Sequence, residues 1–441
     1  MDYYQLLVQK NINHPTDIFI QIDNKSYTYG QIKQQSDTLF QQIKSTGLKS
    51  GSRLLISSQN FYQQVISFFA VQAAGYIPIL LHKGLSSSEI QGIINKNHLQ
   101  GILQFGSKGL EKNFQIFDNI IPKIDCCLGV LSSGSSGLPK VMYRTYASWA
   151  DFFPIQNIIF KVKKNSRVFL QGSLSFTGNL NTFLSVLYEG GQIITSNFIH
   201  CRSWLQLISD SKVSILYLVP SKLRLLLQVC KKEIVTVNLI FTGSQLLDKK
   251  DLYNLHQYFT NAQIILYYGA SELNYITYTE CRSLDRDSRN LGRPFPGVEI
   301  YTKNNIIYVN TKYHVTGLKM PYTVNDLGYL NKNGELIFQG RRQNWINKGG
   351  FKISCIKIQL NLRKISGIKD AVVLPYKDSL RGAELAAFII PRKNINKNHI
   401  RQYIQKNFNP VEVPGKIYFL EKIPLNDRGK LDKSALQSML S

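Results

Sequence analysis

Short apolar runs rich in β-branched and aromatic residues recur through the first three quarters of the chain, each followed by a stretch with helical periodicity. Ser52–Ser57 (SRLLIS) reads as a buried strand, Gln63–Ala74 as a helix and Tyr76–Leu81 as the next strand. Cys126–Leu131, Arg167–Leu170, Gln192–Thr195, Ser214–Val219, Asn238–Phe241 and Gln263–Tyr267 repeat the strand pattern, with helices such as Ser221–Val229 between them. A strand buried on both faces cannot alternate polar and apolar residues, so runs of this kind belong to parallel sheets covered by helices. The expected fold class is α/β, with a large N-terminal domain of helix-covered, mostly parallel sheets.

After Gly334 the texture changes. Glu335–Gln339 reads as a strand, and GRRQNWINKGG after it as a polar, glycine-punctuated connector. Beyond the connector, Ala371–Pro375 and Glu384–Ile390 read as strands around a turn, Ile400–Phe408 as a helix and Lys416–Leu420 as a closing strand. This is a small α+β unit. The expected division is residues 1–341 and 342–441, with the boundary at Arg341–Gln343, and it suits a chain of 441 residues at roughly 100–200 residues per domain. No internal repeat is visible.

Composition narrows the function classes. A hydrophobic fraction of 44% with 18% charged residues can build large cores and excludes a disordered or collagen-like chain. The six cysteines form no C-x-x-C pair and lie near no metal-spaced histidine, so reduced thiols in a cytoplasmic protein are expected, and no zinc. The first ten residues carry Asp2 and no basic segment before an apolar stretch, unlike a signal peptide. Val65–Leu81 is apolar but is interrupted by Gln72, Gly75 and Pro78, and it falls short of a membrane span. A buried helix, a glycine turn and a strand are expected there. The net charge of +25 is scattered along the chain with no dense arginine tract. That favours a compositional bias over specific nucleic-acid binding, and leaves attraction to phosphorylated ligands or an anionic membrane surface open.

Chemistry concentrates at Leu131–Lys140, LSSGSSGLPK. Small residues after a strand leave backbone N–H groups uncovered, and successive N–H groups with hydroxyls and a lysine make a phosphate cradle. A Walker A loop is excluded because Ser135 stands where that loop needs lysine, and the G-x-S-x-G elbow of serine hydrolases is not met.

SSGSSGLPK resembles the T-S-G-T-T-G-x-P-K signature of the adenylate-forming superfamily, which includes acyl-CoA synthetases, nonribosomal peptide synthetase adenylation domains and firefly luciferase. Four further stretches resemble that superfamily's motifs in the right order: YYGASE at Tyr267–Glu272, NDLGYLNKNGELIFQGR at Asn325–Arg341, NKGGFKIS at Asn347–Ser354 and PLNDRGKLDK at Pro424–Lys433. The resemblance implies ATP-dependent activation of a carboxylic acid to an acyl-AMP, followed by transfer to a thiol, with ATP, Mg²⁺ and coenzyme A as the small molecules used. It implies that Ser132, Ser133, Gly134, Ser135, Ser136, Gly137 and Lys140 hold the β- and γ-phosphates. Ser271 would bond the α-phosphate and Glu272 would bind Mg²⁺. Tyr268, followed by Gly269, would stack on adenine, with Gly243, Ser244 and Gln245 as the facing strand end. Asp326 would accept the ribose hydroxyls, with Arg341 assisting. Lys430, on a small mobile C-terminal domain, would bridge carboxylate and α-phosphate, a point-charge role that suits a flexible ammonium. After that domain rotates, the turn at Gly349 and Gly350 would line the tunnel for the pantetheine thiol.

The pattern departs from the superfamily at Val141, where glycine usually follows the P-K pair, at Gln343 in place of the hinge acid, and at Lys357 and Gln359 in place of an E-x-E pattern. The acid itself is the least constrained part. Phe176 falls near the superfamily's gating aromatic, and Leu174, Phe183, Leu184, Val186 and Leu187 offer either apolar lining for an acyl chain or ordinary core. A fatty acid–CoA ligase is expected. An adenylating ligase loading an acyl carrier protein, an enzyme activating an aryl or amino acid, and a nucleotide-binding protein without turnover are the alternatives.

Overall fold

The structure is a computed structural model that describes residues 1–441 apart from 59, 82–84, 106–111, 122–124, 132–137, 285, 349–350, 379–381, 393–394, 408, 427–430 and 441. Its contacts fall into two compact units. The first comprises Met1–Asp285, Pro294–Val298 and Asn310–Met320; the second comprises Arg286–Arg293, Glu299–Val309 and Pro321–Ser441.

The first unit holds two large sheets. In one, the order runs Asn274–Glu280, Gln263–Ala270, Leu239–Gly243, Ile215–Tyr217, Arg167–Leu170, Gln192–Thr195, Ile18–Ile22 and Lys25–Thr28. The strands from Gln263–Ala270 to Ile18–Ile22 pair in parallel, while Asn274–Glu280 and Lys25–Thr28 are antiparallel additions. The other sheet has a parallel centre of Gly101–Phe105, Arg53–Ser57, Ile77–Leu81 and Leu128–Leu131, edged by the antiparallel strands Lys112–Ile116 and Val141–Arg144. The α/β class read from the strand–helix alternation is the architecture found.

Val65–Leu81 resolves as expected. Phe61–Ala73 is a helix whose start is closed by Asn60, its side chain accepting from the backbone N–H groups of Tyr62 and Gln63. Burial on nearly every face explains why that helix is apolar all round. Gly75, at φ +77°, reverses the chain into the buried strand Ile77–Leu81. No described helix is long and apolar enough to cross a membrane.

The second unit carries the sheet Val298–Lys303, Ile306–Thr311, Asp326–Leu330 and Leu336–Arg341. It also carries a sheet in which Ile368–Asp378 lies antiparallel to Gly382–Pro391, which lies parallel to Lys416–Phe419. The helices Cys355–Leu362 and Lys397–Asn407 belong to this unit, and Ile358, Leu362, Ile400 and Ile404 pack into its core with Val373, Leu385 and Ile417. Part of the expected connector is a hairpin instead: Trp345–Lys348 pairs antiparallel with Phe351–Ser354. Its polar residues conceal Ile346 and Ile353, both buried in the same core.

Candidate active site

In an open parallel sheet, ligands collect beyond the carboxyl ends of the strands. Four neighbouring strands of the first unit bring candidate residues to that edge: Arg167–Leu170, Ile215–Tyr217, Leu239–Gly243 and Gln263–Ala270. Gly243 faces Tyr267 in the register, and a Cβ at Gly243 would stand 2.5 Å from the Tyr267 ring. Packing against that ring therefore requires glycine here. Ser244, which follows, is exposed and holds φ at +70°, a conformation uncommon outside glycine, asparagine and aspartate. Gln245 accepts from Arg224 at 3.4 Å, and Arg224 is itself paired with the buried Asp251 at 2.7 Å. Tyr268 and Gly269 lie half-buried at the end of Gln263–Ala270.

Ser271 and Glu272 form the turn between Gln263–Ala270 and the antiparallel Asn274–Glu280. Two side chains fix it. The hydroxyl of Thr177 donates to the hydroxyl of Ser271 at 2.9 Å. Arg144, fully buried, donates to the backbone oxygen of Ser271 at 2.8 Å, to that of Tyr313 at 3.1 Å and to the Ser148 hydroxyl at 3.4 Å, with its guanidinium 4.8 Å from the Trp149 ring centre. Burial pulls the Arg144 pKa down to about 10, while nearby groups including Glu272 act in the opposite direction. The guanidinium stays charged at neutral pH, and its planar fork suits divergent carbonyls.

Neither Arg144 nor Thr177 was a candidate from the sequence. Arg144 stands four residues beyond Lys140, in VMYR, where it reads as one more strand residue. Its partner Ser271 is 127 positions away, and only the topology brings them together. Lys140 itself is exposed just before the strand Val141–Arg144.

In the second unit, Asp326 and Arg341 are cross-strand partners, with Arg341 Nε 3.4 Å from Asp326 Oδ1. The carboxylate is buried and the arginine side chain is 63% exposed, so the pair offers one anchored acid and one movable cation. Lys357 and Gln359, which depart from the superfamily pattern, have structural partners: Lys357 pairs with Glu412 at 2.7 Å, and Gln359 Oε1 accepts from the Val373 N–H at 3.3 Å. Ser132, Ser133, Gly134, Ser135, Ser136, Gly137, Gly349, Gly350 and Lys430 lie outside the described residues.

The residues considered for an acyl chain are core. Leu174, Phe183, Leu184, Val186 and Leu187 are fully buried, and the Phe183 ring packs within 5.3 Å of Phe19 and 6.1 Å of both Phe61 and Phe69, centre to centre. The helix Thr177–Glu189 thus spends its apolar face on the N-terminal elements.

Comparison with known proteins agrees with this architecture. Residues 8–120 and 111–306 match the model of the AMP-binding enzyme family, and residues 358–430 match that of the AMP-binding enzyme C-terminal domain. Among curated relatives, the VraA protein of Staphylococcus haemolyticus, provisionally named a long chain fatty acid-CoA ligase, is 25% identical over 96% of this chain and 95% of its own. Among solved structures, o-succinylbenzoate CoA synthetase of Bacillus subtilis superposes with a TM-score of 0.84 in two forms. Bound to ATP and magnesium ion it is 18% identical, covering 98% of this chain and 99% of that one. Bound to its acyl-adenylate intermediate it is 17% identical, covering 98% and 97%. At such identity the structural likeness establishes a shared fold.

Proposed function

Since this chain belongs to the AMP-binding enzyme family, we propose that it is an AMP-forming acid–thiol ligase that joins a carboxylic acid to coenzyme A through an acyl-AMP. One observation carries this reading most strongly: the Ser271–Glu272 turn sits at the carboxyl edge of the sheet, locked by Arg144 from beneath and Thr177 from the side. A hydroxyl held in that way is oriented before substrate arrives, and groups placed in advance are what an in-line displacement at phosphorus needs.

In the first step a carboxylate oxygen attacks the α-phosphorus of ATP, the bond to the bridging oxygen breaks, and pyrophosphate leaves. Ser271 would donate to an α-phosphate oxygen. The segment Ser132–Gly137, with Lys140, would take the outer phosphates, and Lys430 would neutralise the two oxyanions as they meet. Asp326 would accept from the ribose hydroxyls. Tyr268 would cover the adenine, with Gly243, Ser244 and Gln245 as the opposite wall. Glu272 fits a magnesium ion: its carboxylate makes no ion pair or side-chain hydrogen bond among the described residues, and no group of three or more metal-ligating side chains gathers there among them. A lone carboxylate suits an ion held otherwise by phosphates and water, and that ion would neutralise phosphate charge. In the second step the thiol displaces AMP. We place the hinge for the change between steps at Arg341–Gln343, with the turn at Gly349 and Gly350 lining the thiol's path.

Mass spectrometry of products formed from mixed carboxylic acids, ATP, Mg²⁺ and coenzyme A tests the reading. Acyl-CoA with AMP and pyrophosphate is expected; ADP with phosphate, or no new thioester, would reject it. A loaded acyl carrier protein in place of acyl-CoA would move the acceptor and keep the first step. Lys430→Ala should slow adenylation by about a hundredfold or more while supplied acyl-AMP is still converted to thioester.

A further inference from the structure

Behind the Ser271–Glu272 turn lies a group of buried polar side chains whose hydrogen bonds are incomplete. Asn181 and Thr182 come from the helix Thr177–Glu189, and Asn274 and Tyr275 from the strand that leaves the turn. All four are at most 6% exposed. Asn181 Nδ2 reaches Asn274 Oδ1 at 3.5 Å, the outer limit of a hydrogen bond. Asn181 Oδ1 and Asn274 Nδ2 have no partner among the described residues, while the Thr182 and Tyr275 hydroxyls interact with each other.

Beside them, Tyr217 and Tyr267 bring their hydroxyls to 2.9 Å of each other. Two hydroxyls carry two hydrogens, and their mutual bond uses one; no other bond of either is present among the described residues. Buried donors and acceptors in folded proteins are overwhelmingly matched, so such a concentration points to a missing partner.

The same rings set a limit on space. A Cβ at Gly178, next to Thr177, would stand 2.2 Å from the Tyr217 hydroxyl oxygen, so the chain lies directly on the tyrosine pair. Phe241 stacks on Tyr217 at 4.7 Å, and Tyr275 meets Tyr267 edge-on at 4.6 Å, centre to centre. Three neighbouring strands thus place aromatic rings beside the cluster, which leaves little room there for a long chain.

We infer that the acid activated here is compact and carries a second oxygen-bearing group, a hydroxyl, oxo or further carboxyl, which the Asn181–Asn274 cluster and the tyrosine hydroxyls read. The inference rests on the proposed placement at Ser271 of the α-phosphate that the carboxylate attacks, since the cluster begins three residues beyond it. A site built to bond an oxygen discriminates steeply against an analogue lacking it, because its own polar groups then stay unmatched.

Acid-dependent exchange of labelled pyrophosphate into ATP by the full chain tests this, with butyrate, octanoate and palmitate set against hydroxybutyrate, acetoacetate and succinate. At least one of the oxygen-bearing short acids should exceed butyrate by about tenfold or more in kcat/KM, and palmitate should be inert. Asn181→Leu, which suits a helix interior, should cut that preference by about tenfold, mainly through KM. Asn274→Gly, compatible with the φ of +71° at this position, should do the same. Thermal unfolding of both variants verifies that they are folded. Preference for palmitate or octanoate in the wild type overturns the inference while leaving adenylation standing. Variants that keep the wild-type preference overturn it too, because the cluster would then be matched by buried water alone. Exchange with no acid at all overturns the inference together with the function it rests on.

Discussion

Two corners of one sheet edge bury a cation, and they use it differently. At the Ser271 corner, Arg144 spends its guanidinium on two backbone carbonyls from distant parts of the chain and on the nearby Ser148 hydroxyl. At the Gln171 corner, Lys222 is 3% exposed and donates only to the Gln171 backbone oxygen, at 2.8 Å; it makes no ion pair among the described residues. Burial lowers the Lys222 pKa to about 8 from 10.5. Burial lowers both pKa values to a similar extent, so each charge is penalised by its surroundings; the two differ in what they hold, three acceptors for the arginine and one for the lysine.

The comparison breaks most readily at Arg144. Arg144→Met should destabilise the protein by about 4 kcal/mol, because it leaves the Ser271 and Tyr313 carbonyls buried without donors. Denaturant unfolding measures the loss, and Arg144→Lys should recover only part of it. A loss below about 1 kcal/mol would mean that water serves those carbonyls equally well.

Lys222→Met should act in the opposite direction. The folded protein releases the Lys222 proton at about pH 8 and the unfolded chain only at 10.5, so between those values the unfolded state binds more protons and stability rises with pH. Below pH 8 the whole penalty is present, and removing the amine should stabilise by up to about 3 kcal/mol. That gain should fade as pH climbs from 8 to 10.5. A gain independent of pH would assign the effect to packing.

Thr177→Val sharpens the comparison with the smallest change. It removes the 2.9 Å bond to Ser271 at nearly constant volume, and should cost about 1 kcal/mol of stability. If the bond orients Ser271 for the reaction, kcat should fall while KM for ATP holds; if the bond only supports the turn, the two should move together.

The architecture was legible because strand–helix alternation is a local signal. Arg167–Leu170 and Gln192–Thr195 were read with the bounds found, and Val65–Leu81 separated into helix, turn and strand at Gly75. Boundaries slipped where apolar residues continue beyond an element or start inside a polar stretch, as at Trp345–Lys348. The nucleotide-facing candidates were legible as motifs, since Ser271 and Glu272 lie in one short run. The side chains that hold that run were not. Arg144, Thr177 and Asn181 come from two other elements, and no spacing rule connects them to Ser271. The acyl-chain reading of Phe183 and Leu184 went to the core because composition records apolar residues and not the side of a helix on which they pack.

The central claim is that a carboxylate oxygen becomes bonded to the α-phosphorus of ATP. Turnover of an acid whose carboxylate carries heavy oxygen, with ATP, Mg²⁺ and coenzyme A, tests it directly by mass spectrometry of the nucleotide product. The account predicts AMP that has gained one heavy oxygen from the acid, with unlabelled pyrophosphate. Label in inorganic phosphate alongside ADP would place the attack at the γ-phosphorus and contradict it.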